Sequence, residues 1–174
     1  MELAAVHPSS PALVVLLTGL VVASVSDVRE RRIPNWLVGT LALGGFVSVV
    51  ASSHGTGAIA RSMGTALLAG LLGIAIWLPS VMTRRLGAGD LKLFAAAAVW
   101  LSPVIVARAF IWTALAGGVL AIAWWLTARS RPATPDLGSP RAAHAAKVPY
   151  GVAMSVGITT SIAVSAFMRN PWPF

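Results

Sequence analysis

Six apolar runs, most of them near bilayer-spanning length, constrain this chain more than any other feature: Pro11 to Val25, Trp36 to Ser52, Met63 to Met82, Leu91 to Ala107, Ala109 to Leu126 and Tyr150 to Met168. A helix needs about 20 apolar residues to cross a hydrocarbon core. Backbone in lipid must satisfy its own hydrogen bonds, so such runs form helices. With 57% hydrophobic and 10% charged residues in 174, too little polar surface remains to dress a compact soluble domain. The expected fold class is therefore all-α, a polytopic membrane protein of six transmembrane helices. Residues 1–174 are expected to form a single domain without internal repeats. The fourth run is the shortest in effect, because Leu91 to Leu101 rises only about 16 Å before Pro103 interrupts it.

Lys and Arg positions orient the runs. With six spans, one side collects Arg29, Arg31, Arg32, Arg84, Arg85, Lys92, Arg129, Arg131, Arg141 and Lys147, and the other keeps Arg61, Arg108 and Arg169. A re-entrant fourth segment would erase that bias. The pattern predicts both termini outside a plasma (inner) membrane and a cytoplasmic face rich in cations. The first run has no basic residue ahead of it and no Ala-x-Ala-like site, so it is expected to be retained as a span. The long stretch Thr127 to Pro149, rich in Pro, Ala, Ser and Arg, is expected to be a mobile cytoplasmic loop.

Composition also excludes functions. A net charge of +8 is spread between apolar runs and not gathered on a water-facing patch, so no nucleic-acid partner is expected. No cysteine is present, which removes disulfides, thiolate metal sites and thiol nucleophiles. His7, His54 and His144 are scattered, so no metal site is expected, and no cofactor. The Ser and Thr residues show no Ser-His-Asp pattern with consistent sidedness. The seven tryptophans mostly fall toward run ends, where interfacial anchoring is the default. Gly44, Gly45, Gly70, Gly73, Gly117 and Gly118 would let helix backbones approach closely.

Against this background two acids stand out among only five. Asp27 closes the first run, followed by Val-Arg-Glu-Arg-Arg-Ile-Pro34-Asn35, and Asp90 follows Gly87-Ala-Gly89 and precedes Leu-Lys92. A carboxylate beside an apolar run is costly and is a functional candidate by default. Each residue also has a bland account: Asp27 as an interfacial partner of Arg29, Arg31 or Arg32, Asp90 and Asn35 as helix caps, Pro34 as a stop, Lys92 as an orientation signal. Two glycines before Asp90 exceed what a cap requires. As a pair, two carboxylates in a low-dielectric site share one proton, so that one acts as base and the other as acid. Helix polarity alone would put that proton on Asp27, at a carbonyl end, and leave Asp90 ionised.

Asp27 with Arg-Arg-Ile-Pro-Asn, Gly87-Ala-Gly-Asp90-Leu-Lys92-Leu, and Pro149-Tyr150-Gly151-Val152 opening the last run together resemble the type IV prepilin peptidases, most closely the short Tad/Flp-pilus subgroup. The resemblance covers nearly the whole chain in order and spacing. It implies a Gly-x-Gly-Asp intramembrane aspartic endopeptidase that removes a short basic leader from prepilin-type precursors at the cytoplasmic face of the lipid bilayer. It also implies that Asp27 and Asp90 are catalytic, that Gly87 and Gly89 shape the turn, and that Lys92, Pro34 and Asn35 support the motifs. Longer bacterial members carry a cysteine-rich insert and also N-methylate the trimmed pilin; without cysteines, this chain is expected to cleave without methyl transfer. The competing reading is a small membrane carrier or channel subunit binding protons or cations at Asp27 and Asp90, and a third is an inert scaffold. A carrier would place its acids near the membrane midplane, whereas both lie at run ends.

Overall fold

The computed structural model describes residues 10–83, 86–129 and 150–169, which fold into six helices and, among the described residues, no strand. They are α1 (Ser10–Glu30), α2 (Asn35–Ser52), α3 (Thr56–Met82), α4 (Ala88–Ala98), α5 (Pro103–Arg129) and α6 (Tyr150–Arg169). Five are long and apolar enough to cross a membrane. The exception is α4, whose 11 residues rise about 16 Å, half a hydrocarbon core.

The expected span Leu91 to Ala107 is thus divided. Trp100 N–H donates to Ala97 O and Leu101 N–H to Ala98 O, tight bonds that end α4. Pro103 then opens α5, a position where a missing N–H costs nothing. Hydropathy could not show this break, because Val99, Trp100 and Leu101 in the turn are buried apolar residues. Two other helices outrun their expected segments: α1 continues past Val25 to Glu30, and α3 begins at Thr56, ahead of Met63. Of the expected loop Thr127 to Pro149, the first three residues extend α5 and the rest lies outside the described residues.

The bundle turns large apolar side chains outward: Leu43, Leu71, Val119 and Phe167 are 62–72% exposed, a surface only lipid solvates well. Small residues face inward and let α4 sit at the centre. Added Cβ atoms at Gly45, Gly70 and Gly73 would lie 2.8–3.3 Å from Val99, Phe94 or Ala98, so α2 and α3 close directly onto α4. Trp77 and Trp100 depart from the interfacial expectation, being 5% and 3% exposed. Trp100 Nε1 donates to Leu41 O at 2.9 Å, tying the turn after α4 to the middle of α2. Trp77 meets Phe94, Phe110 and Tyr150 edge to face. Trp36 and Trp125, by contrast, are 65% and 52% exposed.

Helices α5 and α6 run antiparallel. Tyr150 abuts Gly117, Thr113 faces Gly157, and Arg108 Nη1 contacts Met168 Sδ at 3.7 Å. The chain has therefore changed ends of the bundle between Asp90 and Pro103, and α5 returns it, so that the Arg31 guanidinium lies over the Trp124 ring. Short as it is, α4 leads across the bundle and is not re-entrant.

Candidate active site

Asp27 sits in the last turn of α1, its carbonyl accepting from Arg31 N–H at 3.1 Å. Arg31, with φ 53°, then takes the left-handed conformation that ends the helix. Four residues after Asp27 the chain has reversed, and Ile33 and Pro34 lead into α2. Pro34 is the N-cap, extended at φ −63° and ψ 134°, and no side chain caps the helix. Asn35 is thus the first helical residue and not the expected cap. Its Oδ1 instead accepts a long bond of 3.4 Å from Lys92 Nζ, joining the start of α2 to the start of α4.

Asp90 also departs from its bland account. Gly87 is the N-cap of α4, and Asp90 is the third helical residue, its N–H donating to Gly87 O at 3.2 Å. The Gly87 backbone, at φ −73° and ψ 144°, is open to any residue; space is what calls for glycine, since a Cβ would lie 3.2 Å from Asp90 Oδ2. Gly89 brings α4 against the α1–α2 connection, where its Cβ would touch Ile33 at 3.7 Å.

The two motifs meet in one cavity of about 290 Å³. It gathers Asp27, Asn35, Gly87, Gly89, Asp90 and Lys92, together with Arg31, Arg32 and Ile33. Pro34 shapes the entry to α2 without lining the cavity. Asp27 is buried, whereas Asp90 is half-buried. Burial, and next the charge of Asp27, push the Asp90 carboxyl up from 3.8 to about 6, a backbone hydrogen bond at Gly87 opposing them. Asp27's charge is therefore felt at Asp90, as a shared site requires. At the start of α4, burial and the neighbouring carboxylate outweigh the helix N-terminus, which alone would favour an ionised Asp90. A second hollow of about 300 Å³, between α2, α3 and α4, is apolar except for Lys92 and offers no acid–base chemistry.

One contact had no warning in the side-chain pattern. Gly151, second residue of α6, donates its backbone N–H to Asp27 Oδ2 at 2.8 Å. Pro149-Tyr150-Gly151-Val152 is one of the three motifs of the family resemblance, yet by residue type it reads as a helix start, whose exposed amides name no partner. Among the described residues, no three His, Asp or Glu side chains converge as metal ligands would.

A sequence profile of the type IV leader peptidase family matches residues 14–122, more than half of the chain and both acidic motifs. The chain belongs to the type IV leader peptidase family. The peptidase's matched region runs from α1 into α5 and so includes the whole cavity lining. Gly151 and its helix lie beyond it. No curated protein and no solved structure matches the chain.

Proposed function

We propose that the peptidase is an intramembrane aspartic endopeptidase that removes the short basic leader of Tad/Flp-type prepilins at the cytoplasmic face of the plasma membrane, without N-methylation. Asp27 and Asp90 are its catalytic pair. The observation that carries this reading is the single cavity into which α1 and α4 bring both carboxyls, with the charge of one displacing the titration of the other.

In the active form Asp90 holds the proton and Asp27, accepting the Gly151 N–H, is the base. Water attacks the scissile carbonyl carbon while giving a proton to Asp27, and Asp90 gives its proton to the carbonyl oxygen. When the resulting gem-diol collapses, the C–N bond breaks, the amine takes the proton from Asp27, and one hydroxyl returns a proton to Asp90. The products are a carboxylic acid and an amine, and the pair is restored. Because the pair is coupled, its apparent pKa values belong to both groups.

Charge placement supports the cytoplasmic assignment. Arg29, Arg31, Arg32 and Lys92 lie at the cavity's end of the bundle, and Arg61 and Arg108 at the other. Cleavage without methyl transfer is supported by the absence of cysteine.

Coexpression with small prepilin precursors tests the proposal. Wild type should yield a shortened, unmethylated pilin by mass spectrometry, and Asp27→Asn and Asp90→Asn should yield full-length precursor while still accumulating in the membrane. Processing at the wild-type rate by either variant refutes the dyad.

A further inference from the structure

We infer that the first turn of α6 is a positioning device for the base: the Gly151 amide, seated by Tyr150, holds the Asp27 carboxylate in its working orientation. This rests on the proposed role of Asp27.

The first amides of a helix have no intrahelical acceptor. Gly151 is second in α6, and its amide is directed to Asp27 Oδ2 at 2.8 Å, across 124 residues of sequence. Asp27 is 7% exposed, so water cannot substitute freely for that donor. The approach is too close to admit a side chain without a shift. A Cβ at position 151 would lie 2.9 Å from Asp27 Oδ2, 3.0 Å from its Cβ and 3.1 Å from its Cγ, so that the carboxylate would have to move by a few tenths of an ångström.

Two further contacts separate positioning from packing. One turn along α6, the single proton of Ser155 Oγ is shared between Gly151 O at 2.9 Å and Leu20 O of α1 at 3.1 Å, which docks the two helices without touching a carboxylate. Tyr150 seats the turn from its other side, its ring edge-on to Trp77 at 6.0 Å and its hydroxyl in the space left by Gly117. A Cβ at Gly117 would lie 2.6 Å from that hydroxyl oxygen.

Steady-state cleavage of a prepilin peptide by the full chain in detergent micelles tests the inference. Gly151→Ala should lower kcat about 10- to 100-fold, as for loss of a hydrogen bond to a charged group, with KM within about twofold. Ser155→Ala, which loosens the docking of α6 on α1 but leaves the Gly151 N–H and the Asp27 carboxylate untouched, should lower thermal stability and leave kcat within about threefold. Wild-type kcat in Gly151→Ala, or a change confined to KM, overturns the inference. So does a loss in Ser155→Ala as large as that in Gly151→Ala.

A second measurement holds if Gly151→Ala does not fold. In glycine-labelled protein, the Gly151 amide should exchange slowly with solvent, and at least about tenfold faster in Asp27→Ala. Equal exchange in the two proteins overturns the bond itself. The two failures stay distinct: an active Asp27→Asn variant defeats the catalytic role, whereas unchanged kcat in Gly151→Ala beside an inactive Asp27→Asn defeats only the positioning role.

Discussion

Replacing Asp27 with Asn should lower the pKa of Asp90 without returning it to the ordinary 3.8. The displacement to about 6 amounts to about 3 kcal/mol between the two protonation states. Burial is its larger cause and the charge of Asp27 the smaller, with the Gly87 hydrogen bond opposing both. Neutralising Asp27 removes the second cause alone, so Asp90 should titrate between 3.8 and 6. Carboxyl-carbon NMR on aspartate-labelled protein in micelles, from pH 3 to pH 8, reads this directly. The sign for stability follows from a folded pKa above the unfolded one. A carboxyl of this kind favours the fold fully below 3.8, progressively less between 3.8 and about 6, and no further change occurs above. Thermal stability should fall across that window in wild type, and across a narrower one in Asp27→Asn. If Asp90 holds the catalytic proton, cleavage should also fall about tenfold per pH unit above its midpoint. An Asp90 midpoint that stays or rises in Asp27→Asn would refute the coupling, and a wild-type midpoint near 3.8 would refute the burial argument.

Two other substitutions probe the frame of the site. Gly45→Val drives a Cβ to 2.8 Å from Val99 and 3.0 Å from Trp100 Nε1, two buried side chains at the end of α4. It should destabilise by about 1–3 kcal/mol in detergent unfolding, while Gly118→Val, with open space around it, should stay within about 0.5 kcal/mol; equal losses would refute the close-packing account. Lys92→Gln breaks only an exposed 3.4 Å contact with Asn35. Because such contacts contribute on the order of 1 kcal/mol or less, processing should stay within about threefold of wild type. A hundredfold loss would make Lys92 part of the chemistry.

Much of the site was legible because an acid next to an apolar run has few bland uses. Asp27, Asp90 and the glycines before Asp90 could be singled out one by one, and the structure brings them to one cavity. Gly151 could not be singled out in this way. Its contribution is a backbone N–H, which every residue but proline carries, and its partner is far away in sequence. Trp77 and Trp100 were misplaced at the interface for a related reason: an indole near the end of a run suits headgroups as well as it suits a core with an acceptor such as Leu41 O.

Residue types and their order determined which segments leave water, and hence five of the spans, because transfer into lipid is a local property summed along about 20 residues. The length of α4, the raised titration of Asp90 and the bond from α6 to Asp27 were decided only in the folded bundle. Each depends on what lies across a gap of a few ångströms: Pro103 and a buried turn for α4, burial and a neighbouring charge for Asp90, a helix start aimed at a carboxylate for Asp27. Electrostatics and sterics fall off over those short distances, and distance along the chain does not report them.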